Sequence, residues 1–376
     1  MHTDKISNPA EKRGAAIKRR SAQILAAVLG AALLCGAVLF AAPYNQILWT
    51  APTAAAAAAV KWVDFDLPAD ALTRAMNYDI ASHGDPDPLN WVELLSCLGA
   101  KYGGDFSRYR ASDLDELVRR RRSGASMAEL TAGMTYYEYY TQAYGAVLNG
   151  FLGEYSEYTE SDGRRRWVTQ YGLKAFSPVA SGYSFDHYDD FCAVRTYGYR
   201  RKHFGHDLMC AVGTPIVAVE SGVVEELGWN QYGGWRVGIR SFDGKRYYYY
   251  AHMRQNRPYH PDVRRGAVVR AGDVIGYVGR TGYSTVENTN NITVNHLHIG
   301  LELIFDETQK DGSNQVWIDL YELTKFLQQH RSPVVRAADT KEYYRAVLYS
   351  EPLVEAYLRG ELPQPFPPDT ESKEGS

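Results

Sequence analysis

Nothing limits the fold of this 376-residue chain more than the alternation of apolar and polar residues that begins near residue 181. A period of two is typical of β-strands that have one buried face. Glycine-rich or polar joints separate the alternating segments, and Asp243-Gly244 marks a tight hairpin turn between two of them. The sequence therefore predicts a mainly β, antiparallel domain over residues 181–310. The predicted strands are Thr214–Glu220, Gly222–Leu227, Trp235–Arg240, Arg246–Met253 and Val274–Val278.

The regions on either side of this domain have helical spacing instead. Apolar residues recur three or four positions apart after Pro68 and again after Ser112, which predicts an α-helical region over residues 61–180. We interpret this region as a packed stalk or a partner-binding region, with a lid over a downstream site as the alternative. Helical patterns also predict a short helical C-terminal extension over residues 311–360. The polar residues 361–376 are expected to be disordered.

The N-terminal 60 residues include an apolar segment long enough to cross a bilayer. Residues 21–42 carry no charge over 22 positions and would span about 33 Å as a helix. Residues 1–20 contain six Lys or Arg against two acidic residues, a net charge of +4, which predicts a basic cytoplasmic tail and an extracytoplasmic chain beyond the segment. We favour an uncleaved transmembrane signal-anchor, because Pro43 follows the segment in place of a small-residue cleavage site. Residues 43–60 are a predicted spacer, and cleavage would instead give a secreted form.

Overall charge and cysteine content exclude two classes of protein. The 41 Lys and Arg residues against 44 Asp and Glu residues leave a formal charge of -3, so no overall positive field attracts nucleic acid, and no nucleic-acid partner is expected. Four scattered cysteines are too few for a disulfide scaffold. Cys192 and Cys210 are expected to form either a disulfide or two buried free thiols.

Histidines are concentrated in the predicted β domain, where six of the chain's ten lie within 96 residues. His203 and Asp207 are four positions apart with Gly205 between them, and one metal ion can bind both only if the chain bends at that glycine. In His296-Leu-His298, alternation places both imidazoles on one face of a strand. His203, Asp207 and one histidine of this pair would provide three ligands and leave a tetrahedral Zn²⁺ one open position for water. Such a pattern is typical of a catalytic site.

The order of motifs across residues 186–305 resembles that of the lysostaphin-type zinc metalloendopeptidases, which are bacterial cell-wall enzymes with a duplicated hybrid motif β fold. Thr285–Asn295 departs from the family pattern as a longer polar loop, and we expect it to shape one wall of the groove. The matching motifs, in order, are His203-x-Gly-x-Asp207, Gly213–Ala218, Gly222-x-Val224, Tyr232–Gly234, Tyr250–His252, Ala271–Gly276, Gly279–Ser284 and His296-x-His298.

The resemblance implies a role for each polar residue of the site. The zinc ligands of the family correspond to His203, Asp207 and His298, with one Zn²⁺ per chain. Its two unligated catalytic histidines correspond to His252 and His296. One of the two would act as general base and the other would stabilise the oxyanion, and the resemblance leaves this assignment open.

The implied function is hydrolysis of peptide bonds in peptidoglycan stem peptides or cross-bridges by a zinc-activated water. Peptidoglycan peptides are then the expected substrate. A single-pass location in the bacterial cell membrane, with the catalytic domain on the extracytoplasmic side, matches the predicted anchor. The alternative is a membrane-anchored scaffold that uses the same β domain as a binding module in a cell-envelope complex. The complete set of five site residues favours the enzyme.

Overall fold

The computed structural model describes residues 63–310, 312 and 314–367. The predicted basic tail 1–20, anchor 21–42 and spacer 43–60 lie outside these residues. Among the helices that are described, none is both long enough and apolar enough to cross a membrane.

Helices and strands alternate in blocks along the described chain. The helices are α1 Ala69–Ser82, α2 Trp91–Tyr102, α3 Ala111–Arg122, α4 Met127–Thr131, α5 Tyr137–Leu148, α6 Glu307–Lys310, α7 Tyr321–Leu327 and α8 Pro352–Leu358. The strands are β1 Leu152–Ser161, β2 Arg164–Leu173, β3 Asp186–Tyr188, β4 Val194–Arg195, β5 Arg201–Lys202, β6 His206–Met209, β7 Pro215–Val217, β8 Gly222–Asn230, β9 Gly234–Ser241, β10 Arg246–Ala251, β11 Val268–Val269, β12 Val274–Tyr277, β13 His296–Leu303, β14 Val316–Trp317, β15 Val334–Arg336, β16 Tyr343–Arg345 and β17 Leu348–Ser350.

The largest sheet has the strand order β11-β8-β9-β10-β13-β6-β3, with β14 paired to the end of β13. Its pairings are antiparallel, which confirms the predicted mainly antiparallel β domain. All eight residues of β13 are buried, and β10 and β6 pair with its two edges. The register of β13 places His298 opposite Asp207 of β6 on one side and opposite Ala251 of β10 on the other. This register brings the candidate site residues together.

The region predicted to be helical, 61–180, is helical only as far as Leu148. Beyond that point β1 and β2 form an antiparallel hairpin. The helical prediction was wrong there, because polar side chains occupy both faces of the hairpin and hide the alternation. A turn signal was nevertheless present in Asp162-Gly163, whose φ angles of 54° and 71° suit a tight hairpin turn.

Helix α2 illustrates why the first part of this region is helical. The side chain of Asn90 accepts hydrogen bonds from the backbone N–H groups of Val92 and Glu93, which would otherwise lack partners at the helix start. Gly103, with a φ of 66°, ends the helix in the left-handed conformation. Leu94 and Leu98, four positions apart, are both buried on the core side.

The helices and the central sheet share one hydrophobic core, so residues 61–180 do not form a separate domain. The guanidinium of Arg246 in β10 is buried and donates to both carboxylate oxygens of Glu220, at 2.8 and 2.9 Å. The same guanidinium donates to the backbone carbonyl of Ala146 in α5, at 3.0 Å. A buried ion pair needs all of its hydrogen bonds to offset the cost of desolvation. The helices therefore complete the polar contacts of the β domain.

The C-terminal region also differs from its prediction. Residues 311–360 were predicted to be helical, yet α7 and α8 are the only helices in the described part of this range, and β17 pairs with β1. The expected disorder of residues 361–376 is wrong for residues 361–367, because Phe366 is buried against Val223, Phe242 and Val354. The rest of that segment lies outside the described residues.

Candidate metal centre

Three ligand atoms converge where β6 and β13 lie side by side. His203 Nε2 lies 2.8 Å from His298 Nδ1 and 3.2 Å from Asp207 Oδ1. His298 Nδ1 lies 3.0 Å from the same carboxylate oxygen. Bonds of about 2.0–2.2 Å to one tetrahedral metal ion would hold such atoms about 3.3–3.6 Å apart, slightly further than they lie here. These three side chains therefore form a candidate metal centre, and two imidazole nitrogens with one carboxylate oxygen are a donor set that fits zinc.

Gly205 allows the first ligand loop to approach β13 this closely. Its φ is 155°, a conformation that L side chains rarely adopt. A Cβ atom at this position would lie only 2.5 Å from His298 Cε1 and 2.7 Å from the carbonyl oxygen of Ile299. The glycine thus provides both the bend between His203 and Asp207 and the space for the third ligand.

Two further charged residues, Asp190 and Arg195, contact the candidate metal centre. Asp190 Oδ1 lies 2.9 Å from His203 Nδ1, the ring nitrogen that does not face the other ligands. Arg195 contacts Asp190 and lies 3.3 Å from Asp207 Oδ2. A carboxylate beside the far nitrogen orients a ligand histidine and makes it more basic. Sequence analysis missed both residues, because no periodicity or motif spacing connects them to the ligands.

The surrounding charges shift the pKa values of the ligands. Burial by itself lowers the pKa of His203, but Asp190 and Asp207 on either side of its ring raise the pKa to about 9. Burial would raise the pKa of Asp207, but contacts with His203 and His298 hold the pKa of this carboxyl well below its usual range. Burial lowers the pKa of His298. Asp207 and His298 are thus in their metal-binding forms, an ionised carboxylate and a neutral imidazole, whereas a metal ion must displace the proton of His203 when it binds.

The two other histidines of the predicted site, His252 and His296, lie beside the metal centre. Their ring centroids are 4.8 Å apart. Each has its Nδ1 at 2.8 Å from a backbone carbonyl, that of Thr281 for His252 and that of Val294 for His296. With a proton on Nδ1, the Nε2 atom of each ring is left as an acceptor, and that of His296 lies 3.7 Å from Asp207 Oδ1. Burial lowers the pKa of His252 well below its ordinary value, so this ring is neutral at neutral pH.

A groove with a volume of about 720 Å³ opens over these histidines. This volume lies within the range of sites that bind small ligands or short peptides. In the described part of the chain, every residue that lines the groove lies between Tyr188 and His298. The residues 291–294 form part of the lining, as expected for the long polar loop. The helical region supplies none of the described lining residues, which does not support its alternative interpretation as a lid.

The remaining histidines and cysteines of the β domain take no part in the candidate metal centre. His206 points to the opposite face of β6, where its Nε2 lies 2.9 Å from Nδ1 of His187. His260 is buried in a separate loop. Of the two open alternatives for Cys192 and Cys210, the structure has free thiols, although Cys192 is exposed and not buried as expected.

Comparison with known proteins identifies the domain that carries this site. Residues 201–311 match the profile of Peptidase family M23. The chain contains a peptidase family M23 domain. The ordered motifs predicted a domain of this kind, and the match confirms that prediction for residues 201–311.

Two relatives illustrate how far this M23 similarity extends. The L-Ala–D-Glu endopeptidase of Bacillus subtilis is 31% identical over 238 residues, which cover 62% of this chain and 66% of the relative. Lysostaphin of Staphylococcus simulans is 39% identical over 84 residues, which cover 22% of this chain and 16% of the relative. The crystallised catalytic domain of that lysostaphin is 32% identical, with a TM-score of 0.26, and the match covers 33% of this chain and 80% of the domain. The chain thus spans just under two thirds of the first relative and a small part of the second.

Proposed function

We propose that this protein is a zinc-dependent metalloendopeptidase that hydrolyses peptide bonds in peptidoglycan. The observation that carries the proposal is the convergence of three ligand atoms on a groove that also holds two further imidazoles, those of His252 and His296. The name of the Bacillus relative supports endopeptidase chemistry. The longer of the two alignments is with an L-Ala–D-Glu endopeptidase, which favours a stem peptide over a cross-bridge as the substrate.

His203, Asp207 and His298 would hold the zinc ion in this proposal. When bound, zinc supplies Lewis-acid chemistry, which lowers the pKa of a water molecule and polarises a peptide carbonyl. Asp190 keeps His203 in the orientation that presents Nε2 to the groove. The donor set leaves one position of a tetrahedral site for water or substrate.

His252 and His296 would move the protons of the reaction. Because a backbone carbonyl accepts from Nδ1 of each ring, each Nε2 is ready to accept a proton near the metal centre. One ring removes a proton from the attacking water and returns it to the leaving amine. The other would donate a hydrogen bond from Nε2 to the oxygen on which negative charge develops, with the proton for that nitrogen taken up from solvent beforehand and kept through the reaction. The two rings have matching backbone contacts, so experiment must decide which ring is the general base and which one stabilises the oxyanion.

The central test measures metal content and hydrolysis with the full chain. We expect one zinc ion per chain, and release of new amino groups from purified peptidoglycan. His298→Ala should abolish zinc binding and hydrolysis. His83→Ala removes an exposed histidine that is distant in sequence from the zinc ligands, and it should preserve zinc binding and hydrolysis. A zinc-free protein that still binds peptidoglycan would refute the enzyme and favour the envelope scaffold. Masses of the released peptides would identify the bond that is cut.

We also propose that residues 21–42 anchor the chain in the bacterial membrane with the M23 domain outside. The support is the uncharged length of this segment and the basic residues before it. Membrane fractions should retain the protein after carbonate washing, and protease added outside intact spheroplasts should digest the M23 domain. A soluble product lacking the first 42 residues would instead identify a cleaved signal.

A further inference from the structure

Arg201 is a cation at the groove whose charge the proposed mechanism does not use. Arg195, Arg201 and Lys202 all line the groove. Arg195 already contacts Asp190 and Asp207. By contrast, Arg201 forms no ion pair with any carboxylate in the described part of the chain, and its one side-chain hydrogen bond there is to the carbonyl of Tyr197, at 2.7 Å.

Aromatic rings hold the guanidinium of Arg201 in place. Its central carbon lies 4.6 Å from the ring centroid of Tyr232, 5.4 Å from that of Tyr283 and 5.9 Å from that of Tyr199. Tyr283 in turn stacks on Tyr197, with centroids 4.7 Å apart and planes within 5°. Ring faces attract the cation but do not neutralise it. The tyrosines therefore fix a planar group whose remaining N–H donors have no protein acceptor among the described residues.

The chemistry of this arrangement selects a planar anion. A guanidinium has five N–H donors in a rigid fork that matches the two oxygens of a carboxylate. A fixed fork loses less side-chain entropy on binding than a mobile lysine would. The exposed Lys202 beside it adds positive charge to the same part of the groove.

Arg201 also lies close to the reacting groups. It precedes His203 by two positions, both residues line the groove, and two chain steps separate their Cα atoms by at most about 7 Å. A bound peptide advances about 3.3–3.6 Å per residue. The site around Arg201 thus lies about two peptide residues from the metal centre.

We infer that Arg201 binds a free carboxylate of the substrate, on a residue within about two positions of the bond that is cut. This inference rests on the proposed function and adds to it a substrate class, namely peptides with an acidic residue beside the cleavage point. The tyrosines act as positioning residues that hold the guanidinium toward the groove.

The test compares two stem-peptide fragments that differ only at the α-carboxyl group of the glutamyl residue, which is free in one and a carboxamide in the other. The full chain should prefer the carboxylate by about 10-fold or more in kcat/KM, the range of a charge-assisted hydrogen bond. Arg201→Gln should reduce the ratio to about 1, and Arg201→Lys should keep part of it. Arg200→Gln removes the same charge from the neighbouring exposed arginine and should leave the ratio unchanged.

Two results would overturn the inference. One is a wild-type ratio near 1. The other is an Arg201→Gln variant that loses activity on both peptides in the same proportion, which would give the arginine a purely structural role in the tyrosine cluster.

Calorimetric binding of both peptides to the chelated, metal-free full chain separates this inference from the proposed function. The inference is supported if the carboxylate peptide binds more tightly than the carboxamide and Arg201→Gln abolishes this difference. That support would hold even if neither peptide were cleaved, although the absence of cleavage would refute the proposed function. Equal cleavage of both peptides by the wild type would support the proposed function and overturn the inference about Arg201. Equal binding of both peptides would again overturn the role of Arg201.

Discussion

Replacing Gly205 by alanine adds a single methyl group where the first ligand loop meets β13. The new Cβ would lie 2.5 Å from His298 Cε1 and 2.7 Å from the carbonyl oxygen of Ile299. Ordinary contact between carbon atoms begins near 3.4 Å, so the imidazole would have to retreat by about 0.9 Å. The carbonyl oxygen cannot retreat as easily, because β13 pairs with β6 on one side and β10 on the other.

Such a displacement is large for a metal ligand. Ligand distances must agree with ideal values to about 0.2 Å, and a misplacement of about 1 Å in a catalytic site costs about 100-fold in rate. We therefore expect Gly205→Ala to lose most of its zinc affinity, measured by competition with a chromogenic chelator, and about 100-fold in peptide hydrolysis. Overpacking should also lower the free energy of unfolding by about 1–3 kcal/mol.

Gly228→Ala is the matched control. Gly228 has a φ of 139°, close to that of Gly205, but an added Cβ would meet no atom within 4 Å. The control thus carries the backbone strain of the substitution without the overlap. Equal zinc affinity in the two variants would show that the methyl group does not displace His298, and the reasoning from the close approach would be refuted.

Three further predictions concern residues around the same site and the neighbouring part of the sheet. Asp190→Asn should weaken zinc binding about 10- to 100-fold in chelator competition, because it removes the negative charge 2.9 Å from His203 Nδ1. His252→Ala should keep one zinc ion per chain and lose about 100- to 10,000-fold in kcat, since this ring is proposed either to transfer protons or to stabilise the oxyanion. Burial would raise the pKa of Glu226, but Lys310 and Arg236 lower the pKa from 4.5 to about 2. This carboxylate therefore stabilises the fold above about pH 4.5, and acid titration of Glu226→Gln against wild type should show an advantage of about 3 kcal/mol that disappears toward pH 2.

Each of these has a result that would contradict it. Unchanged zinc affinity in Asp190→Asn would mean that the carboxylate does not support His203. Loss of zinc from His252→Ala would make this residue a ligand and not a proton carrier. A constant difference in unfolding free energy across the acid range would mean that Glu226 has an ordinary pKa in the folded protein.

The buried pair of Arg246 and Glu220 bears on how the M23 domain should be studied. Because the guanidinium also donates to Ala146 of α5, a fragment that starts after the helices would lose a hydrogen bond to a buried charge. The apolar faces of the helices belong to the same core. The full chain is therefore the proper form for the assays described above.

The sequence by itself predicted the β domain and five candidate site residues. Alternation reports which strands have a buried face, and the spacing of His203, Asp207 and the 296–298 motif is readable within short segments, whereas the role of His252 was implied only by the order of the motifs. The same locality explains the errors. In β1 and β2, polar residues on both faces remove the alternation of apolar and polar residues from which strands are predicted. The short strands near the C terminus have too few residues to establish a period.

Only the tertiary structure decided which groups surround those residues. Asp190, Arg195 and the tyrosines around Arg201 reach their positions through contacts between segments that share no periodicity. Strand register, and not spacing along the chain, sets Asp207 opposite His298. Electrostatic support and substrate contacts act through space over a few ångströms, whereas a sequence pattern records only neighbours along the backbone, so these features become visible only after the sheet is assembled.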